Sequence, residues 1–251
     1  MTRMTKYLPR VKGLSFLLSC YQRFFPNGAQ YRIPDFDGNL ILDVNLCETI
    51  GINLWHAPQA YERHERKLFC SALKPGCTVL DVGANIGIYT LLAAKRGAKV
   101  FSIEADPANA DALKRHISLN HLGERVNIYQ IAAANKKGIV HLHRNPFNIG
   151  GSSLYGDGEG ICIEAGTIDS LDLAPIDLCK MDIEGAELLA LEGMTETLRR
   201  SPNMKLLVEC SKNGKNLVRL LQKHFRHVQE VAGPQLSEPK NLSYCNLWAW
   251  N

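Results

Sequence analysis

Val79-Leu80-Asp81-Val82-Gly83-Ala84-Asn85-Ile86-Gly87 is followed by a second apolar run, Lys99-Val100-Phe101-Ser102-Ile103, that ends on a single acid, Glu104. The first run reads as a buried strand entering a glycine turn that opens a helix. The second reads as the neighbouring strand, with a carboxylate at its tip. Together they predict an α/β fold with a parallel sheet. Gly83 and Gly87 are expected to let a ligand approach the backbone where a side chain would collide. A carboxylate about twenty residues beyond the first turn suits the paired hydroxyls of a ribose. The pattern therefore points to a nucleoside-bearing cofactor.

The glycine spacing selects among such cofactors. A dinucleotide site uses G-x-G-x-x-G, so that a pyrophosphate rests on the helix N-terminus. Here Asp81 precedes Gly83 and Gly87 in a D-x-G-x-N-x-G pattern. An acid at that place repels a pyrophosphate and attracts the ammonium and sulfonium of S-adenosylmethionine. S-adenosylmethionine is the expected cofactor.

The 251 residues can hold one α/β domain with a full core. The eight cysteines are scattered with no C-x-x-C pair, which predicts reduced thiols and a cytoplasmic protein without a zinc site. Residues 1–25 carry Arg3, Lys6, Arg10, Lys12 and Arg23 and no acid, so the remainder of a chain of net charge +4 is close to neutral. A neutral body does not favour nucleic acid as a partner. The apolar stretch Leu14–Cys20 is too short to span a bilayer. Phe16, Leu17, Tyr21, Phe24 and Phe25 beside those cations would suit loose contact of residues 1–25 with an anionic membrane, the plainer expectation being a helix packed on the main domain.

Three regions follow: a basic, apolar helical arm over 1–30; a hairpin and helix over 31–75 that pack on the core; and the main α/β domain over 76–251. The hairpin turns at Asp37-Gly38, and a helix is expected over about 58–73. Strands are expected at 77–82, 99–104, 126–132, 176–182 and 205–210, with helices over 86–96, 107–123, 185–200 and 213–225. Residues 138–168 interrupt the alternation with two short strands around a Gly-, Asn- and Ser-rich loop, 144–158, where substrate contacts are expected. His227–Val231 and Leu242–Trp250 follow one another with no helix between them. They predict an antiparallel hairpin at the sheet edge.

Strand 176–182 runs into Lys180-Met181-Asp182-Ile183-Glu184-Gly185-Ala186-Glu187. With D-x-G-A-N-x-G at Asp81–Gly87 and K-x-D-x-E-G-A-E at Lys180–Glu187, the sequence resembles the FkbM-type methyltransferases. Tyr61-Glu62 with Glu65, the run Ile103–Pro107 and Gly150-Gly151-Ser152-Ser153 add to the likeness, which covers about residues 30–210. Ala105 departs from it, where the family carries proline. The resemblance implies a Rossmann-like class I methyltransferase with a mostly parallel seven-stranded sheet. It also implies O-methylation of a hydroxyl on a sugar, glycolipid or glycan, or on a polyketide-type metabolite. By the same resemblance Asp81, Gly83, Asn85 and Gly87 surround the methionine half, Glu104 holds the ribose, and Ala132 leaves room for the adenine.

Asp81, Asp182 and Glu209 end three parallel strands, so they are expected to meet at the switch in strand order. Lys180 and Asp182 share a strand face, and a lysine there needs a carboxylate partner. A sugar hydroxyl is a weak acid, so methyl transfer to it needs a proton acceptor. Asp182 is the first candidate and Lys180, if burial neutralises it, the second; Asp182 also borders the cofactor. Glu184 and Glu187 are expected to orient substrate or cap the helix they begin. Asp182, Glu184 and Glu209 could instead hold Mg²⁺, the less favoured arrangement, and no metal is assigned. A cofactor-binding protein without turnover has no use for Lys180, Asp182 and Glu184. His224 and His227 are expected to be structural, and His141 and His143 to sit on a surface hairpin, with a catalytic role as the alternative for His143; Asn120 is expected to cap its helix or to hydrogen-bond near the site. The sequence gives no sign of an oligomeric state.

Overall fold

The computed structural model describes residues 19–21, 23–25, 28–145, 148–153, 160–231, 233–238, 242 and 244–251. Most of the basic arm thus lies outside the described residues; residues 19–21 and 23–24 are helical. The hairpin forms from β1 (Gln30–Phe36) and β2 (Leu40–Asn45), paired antiparallel. It is followed by α1 (Thr49–His56) and α2 (Arg63–Ala72).

The main sheet contains β3 (Thr78–Val82), β4 (Lys99–Ile103), β5 (Val126–Tyr129), β10 (Leu178–Met181), β11 (Lys205–Cys210), β12 (His227–Glu230) and β13 (Cys245–Trp250). Its order is β12-β13-β11-β10-β3-β4-β5. As expected, seven strands form a mostly parallel sheet ending in an antiparallel pair. Only β13 opposes the rest, because it inserts between β11 and β12 and is antiparallel to both. Strand order reverses between β10 and β3, which opens a crevice at their carboxyl ends.

Strand side chains alternate between two cores. Val79, Val100, Leu178 and Leu207 face α3 (Ile88–Lys95), α4 (Pro107–Leu119) and the N-terminal hairpin. Leu80, Val82, Cys179, Met181 and Val208 face α5 (Glu187–Glu192), α6 (Thr195–Arg200) and α7 (Gly214–His224). Every residue of α3 from Ile88 to Ala94 is buried, as a helix that is apolar all round requires. Asp106 caps α4 by accepting from the Ala108 N–H at 2.9 Å, with Pro107 at the first helical position.

A second sheet, β6-β9-β7-β8, contains β6 (Ala132–Ala133), β7 (Gly138–Asn145), β8 (Asn148–Ser153) and β9 (Gly160–Gly166). Four expectations are corrected. The strand 126–132 divides, because β5 stays in the main sheet while Ala132 moves to the second. Part of the loop 144–158 is the strand β8, paired with β7. The helix over 185–200 breaks at Gly193, where a Cβ would stand 2.0 Å from the Ala134 carbonyl oxygen. The helix over 58–73 shortens to α2, and α1 is an element that the periodicity did not reveal.

The hairpin is tied to α4 by polar contacts. Asn120 Oδ1 accepts from the Ile41 N–H at 2.8 Å, and its Nδ2 donates to the Ile41 carbonyl at 2.8 Å. Asn120 thus acts as a strand partner for β2. His116, fully buried, bonds the Ile86 carbonyl at 2.7 Å through Nδ1 and the Asp43 backbone at 2.9 Å through Nε2. Asn120→Ala should therefore lower the unfolding free energy by about 1–3 kcal/mol, since it leaves two backbone groups unpaired. Urea denaturation followed by circular dichroism reads the change.

Candidate active site

Asp81, Lys180 and Glu209 project from three strands onto the face that packs against α3. Lys180 lies in register with Asp81 across β10 and β3. All three are buried. Asp81 Oδ2 accepts from the Thr90 hydroxyl at 2.6 Å, and Thr90 is 2.7 Å from the Ser102 hydroxyl. Asp81 Oδ1 has no hydrogen-bond partner. Burial raises the Asp81 pKa from its ordinary value, against the pull of Lys180.

Lys180 Nζ donates to Asp182 Oδ2 at 3.1 Å and lies 4.9 Å from the centre of the Tyr89 ring. Burial alone would lower its pKa, but Asp182, Glu62 and Asp81 outweigh burial and raise it. Lys180 therefore remains an ammonium. The expectation that burial neutralises it into a base is corrected: three carboxylates surround it, and their summed field exceeds its desolvation cost.

A crevice opens above these residues at the carboxyl ends of β10 and β3. Gly83, Asn85, Glu104, Ala132, Lys180, Asp182 and Glu184 all line it, whereas Asp81, Gly87 and Glu209 are not part of the lining. Glu104 is 7% exposed. Its Oε2 accepts from the Asn85 N–H at 2.7 Å and its Oε1 from the Asp106 N–H at 2.8 Å. Burial nevertheless pushes its pKa up to about 7, although those backbone bonds and the Asn109 side chain favour the anion.

The glycines are also required by the packing of the protein itself. A Cβ on Gly83 would lie 1.9 Å from the Asp182 carbonyl oxygen, and one on Gly87 would lie 2.4 Å from Leu113 Cδ1. Protein atoms stand in the space that a side chain at either position would need. The turn also uses its own N–H groups. Those of Gly83 and Ala84 donate to the Ile103 carbonyl, that of Gly87 to the Ala84 carbonyl, that of Ile86 to the Asn85 side chain and that of Asn85 to Glu104. No N–H of residues 83–87 remains to cradle a phosphate.

After β10 the chain turns sharply, with Glu184 at φ 53° and Gly185 at φ 105°. Glu187 Oε1 accepts from the N–H groups of Gly185 at 2.9 Å and Ile183 at 3.2 Å, so it fastens this loop. The loop brings Asp182, Glu184 and Glu209 together, one carboxylate oxygen from each lying within 4.8 Å of the others.

The site also contains residues to which the sequence had assigned no role. Tyr61, Glu62, Tyr89 and Asn109 line the crevice. Glu62 Oε2 accepts from the Tyr89 hydroxyl at 2.7 Å, and burial raises the Glu62 pKa. Tyr61-Glu62 was visible in the resemblance, but Tyr89 reads as one more apolar residue of α3. His141 is exposed, His143 does not line the crevice, and His227 stacks on Trp250 with ring centres 4.9 Å apart.

The Methyltransferase FkbM domain model matches residues 81–232, more than half of the chain. The methyltransferase sdnD of Sordaria araneosa is 26% identical over 156 residues, covering 47% of this chain and 60% of that protein. The uncharacterized RNA methyltransferase YljE of Lactococcus lactis is 36% identical over 81 residues, covering 32% of this chain and 17% of that protein. The chain thus spans less than two thirds of either relative. A putative rRNA-methylase from Clostridium thermocellum superimposes with a TM-score of 0.50 at 9% identity, over 75% of this chain and 94% of that one. That likeness is one of fold. By its paired motifs and by the family model, the chain belongs to the FkbM methyltransferase family.

Proposed function

We propose that this chain transfers a methyl group from S-adenosylmethionine to a hydroxyl of a sugar, glycolipid or glycan. One observation carries the cofactor assignment: the turn has no free N–H for a phosphate, while Glu62, Glu104, Asp182 and Glu184 face the crevice against the single cation Lys180. A net negative cavity suits a cationic donor and opposes a diphosphate. Glu104 accepts from the ribose hydroxyls, and the small side chains of Ala132 and Ala133 leave space for the adenine.

When bound, S-adenosylmethionine supplies an already activated methyl group. The chain's task is to hold the acceptor oxygen in line and to take its proton as the new bond forms. Asp182 accepts that proton. Lys180, kept cationic, orients Asp182 through the 3.1 Å contact. The second sheet closes one side of the crevice through Leu142, and β8 packs beside α1. That position supports the strand and its Gly150-Gly151-Ser152-Ser153 run as a wall for the acceptor.

The glycolipid reading gains support from exposed aromatics. Phe24, Phe25, Tyr31 and Trp55 are exposed, and the rings of Tyr21, Phe25, Tyr31 and Trp55 adjoin one another. With the cations that the sequence carries in residues 1–25, this patch suits peripheral contact with an anionic bilayer. Among the described residues no helix is long and apolar enough to cross a membrane.

A second reading is favoured by the grouping of Asp182, Glu184 and Glu209, whose oxygens could hold Mg²⁺ and acidify the acceptor hydroxyl. Calorimetric titration with Mg²⁺ in the presence of S-adenosylhomocysteine should then show one site, lost in Glu184→Gln. Absence of binding heat leaves proton transfer to Asp182 alone.

Two further outcomes are expected. Asp182→Asn should leave the S-adenosylhomocysteine Kd within about threefold and slow methyl transfer by about 10²–10⁴-fold, the usual share of a general base. Radiolabelled methyl incorporation into glycolipid extracts reads the rate, and an unchanged rate removes Asp182 from the role. The Glu104 pKa of about 7 sets a pH dependence. Only its anion accepts from both ribose hydroxyls, so S-adenosylhomocysteine affinity should rise roughly tenfold from pH 6 to pH 8 and flatten in Glu104→Gln. Because that pKa is raised on folding, the contribution of Glu104 to apo-protein stability has the opposite trend. It is fully present below its ordinary value near 4.5 and is lost as pH rises through about 7.

A further inference from the structure

A second cleft lies away from the crevice, between α2, the end of α3 and the turn of the β1–β2 hairpin. It is open to solvent and is lined by Arg63, Arg66, Lys67, Arg96, Gln59 and Asp37. Arg66 is 6% exposed. Its Nη2 donates to the carbonyls of Pro58 at 3.0 Å and Gln59 at 3.2 Å, and its guanidinium carbon lies 4.8 Å from the centre of the Phe36 ring. Its Nε and Nη1 have no hydrogen-bond partner. The one acid in this wall, Asp37, is already paired with Arg96 at 2.6 Å. Arg63 and Lys67, both exposed, form no ion pair among the described residues.

A guanidinium buried without a counter-charge is costly, and removal of a partner from a buried pair is strongly destabilising. Among the described residues Arg66 forms no ion pair, the one lining acid being taken by Arg96, while two more cations border the same cleft. We propose that this cleft binds a phosphate-type oxyanion. Arg66 supplies fixed charge at its floor. Arg63 and Lys67 supply donors from the rim, the arrangement that suits a multiply charged tetrahedral anion. The site adjoins the catalytic crevice along the chain, because Arg66 holds residues 58 and 59 while Tyr61 and Glu62 line the crevice. The phosphoryl group can come from free phosphate or from a phosphorylated acceptor.

Calorimetric titration with inorganic phosphate and with glucose 1-phosphate, each at constant ionic strength against a chloride control, tests the site. Saturable phosphate binding is expected. The double variant R63Q/K67Q should weaken it at least tenfold, or about 1.4 kcal/mol. Both substituted positions are exposed, so the fold is retained, and circular dichroism confirms it; Arg66→Met extends the test to the floor of the cleft. Equal affinity for the two probes identifies a free oxyanion. Tighter binding of the sugar phosphate, strengthened by S-adenosylhomocysteine, identifies a phosphorylated acceptor. Phosphate heats matching chloride, or a double variant that binds phosphate as the wild type does, overturns the proposal. Either failure leaves the S-adenosylmethionine reading intact, because S-adenosylhomocysteine binding is measured at the other crevice.

Discussion

The close passage of Gly83 beneath the carbonyl of Asp182 holds the site together. No side chain fits between them, and the Asp182 N–H in turn donates to the Val82 carbonyl at 2.9 Å. Two motifs a hundred residues apart in the chain thereby become one surface. The same contact sets the end of β10, so the direction in which Asp182 and Glu184 leave the sheet follows from the absence of a methyl group at residue 83. Parallel sheets bring strand ends together in general. Here the fit is tight enough to fix which atoms meet.

Electrostatics then determine what the surface can hold. Among the described residues four carboxylates line the crevice and Lys180 is the one cation that does, with Asp81 in register beside Lys180 on the neighbouring strand. Burial is the main reason that Glu62, Asp81 and Glu104 all have raised pKa values, and the charge of Asp182 adds to it at Glu62 and Asp81. Lys180 relieves part of that repulsion and becomes a firmer cation in return. Such a cavity is arranged for positive charge, and it is held in that state by backbone donors to Glu104 and by Thr90 to Asp81.

Much of this was legible in the sequence. The acids Asp81, Glu104 and Asp182 at the carboxyl ends of their strands follow from short, mainly apolar runs, and the two motifs located the crevice. The purpose of Gly83 and Gly87 was not legible, because sequence shows that a small residue is needed but not what fills the space. The roles of Tyr89 and Glu62 were hidden for a related reason. A tyrosine within an apolar helix looks like core, and its hydroxyl contact to Glu62 is made across 27 residues. The pairing of Lys180 with Asp182 was legible, but the condition under which Lys180 would be a neutral second candidate for base was not, because the count of acids around it depends on tertiary structure. The break at Gly193 and the division of residues 126–132 between two sheets are also set by packing, here against Ala134 and β9.

The burial of α3 on all sides bears on how this chain can be dissected. One side of the helix rests on the main sheet, and the other is covered by Phe36, Leu40, Leu42 and Phe69 from residues 30–75. A fragment starting at Cys77 would keep every strand of the main sheet, yet it would lay a greasy cylinder bare to water. The N-terminal portion is therefore the missing half of a core rather than an appendage. Protein engineers who trim or swap it should expect clumping before they see any change in chemistry.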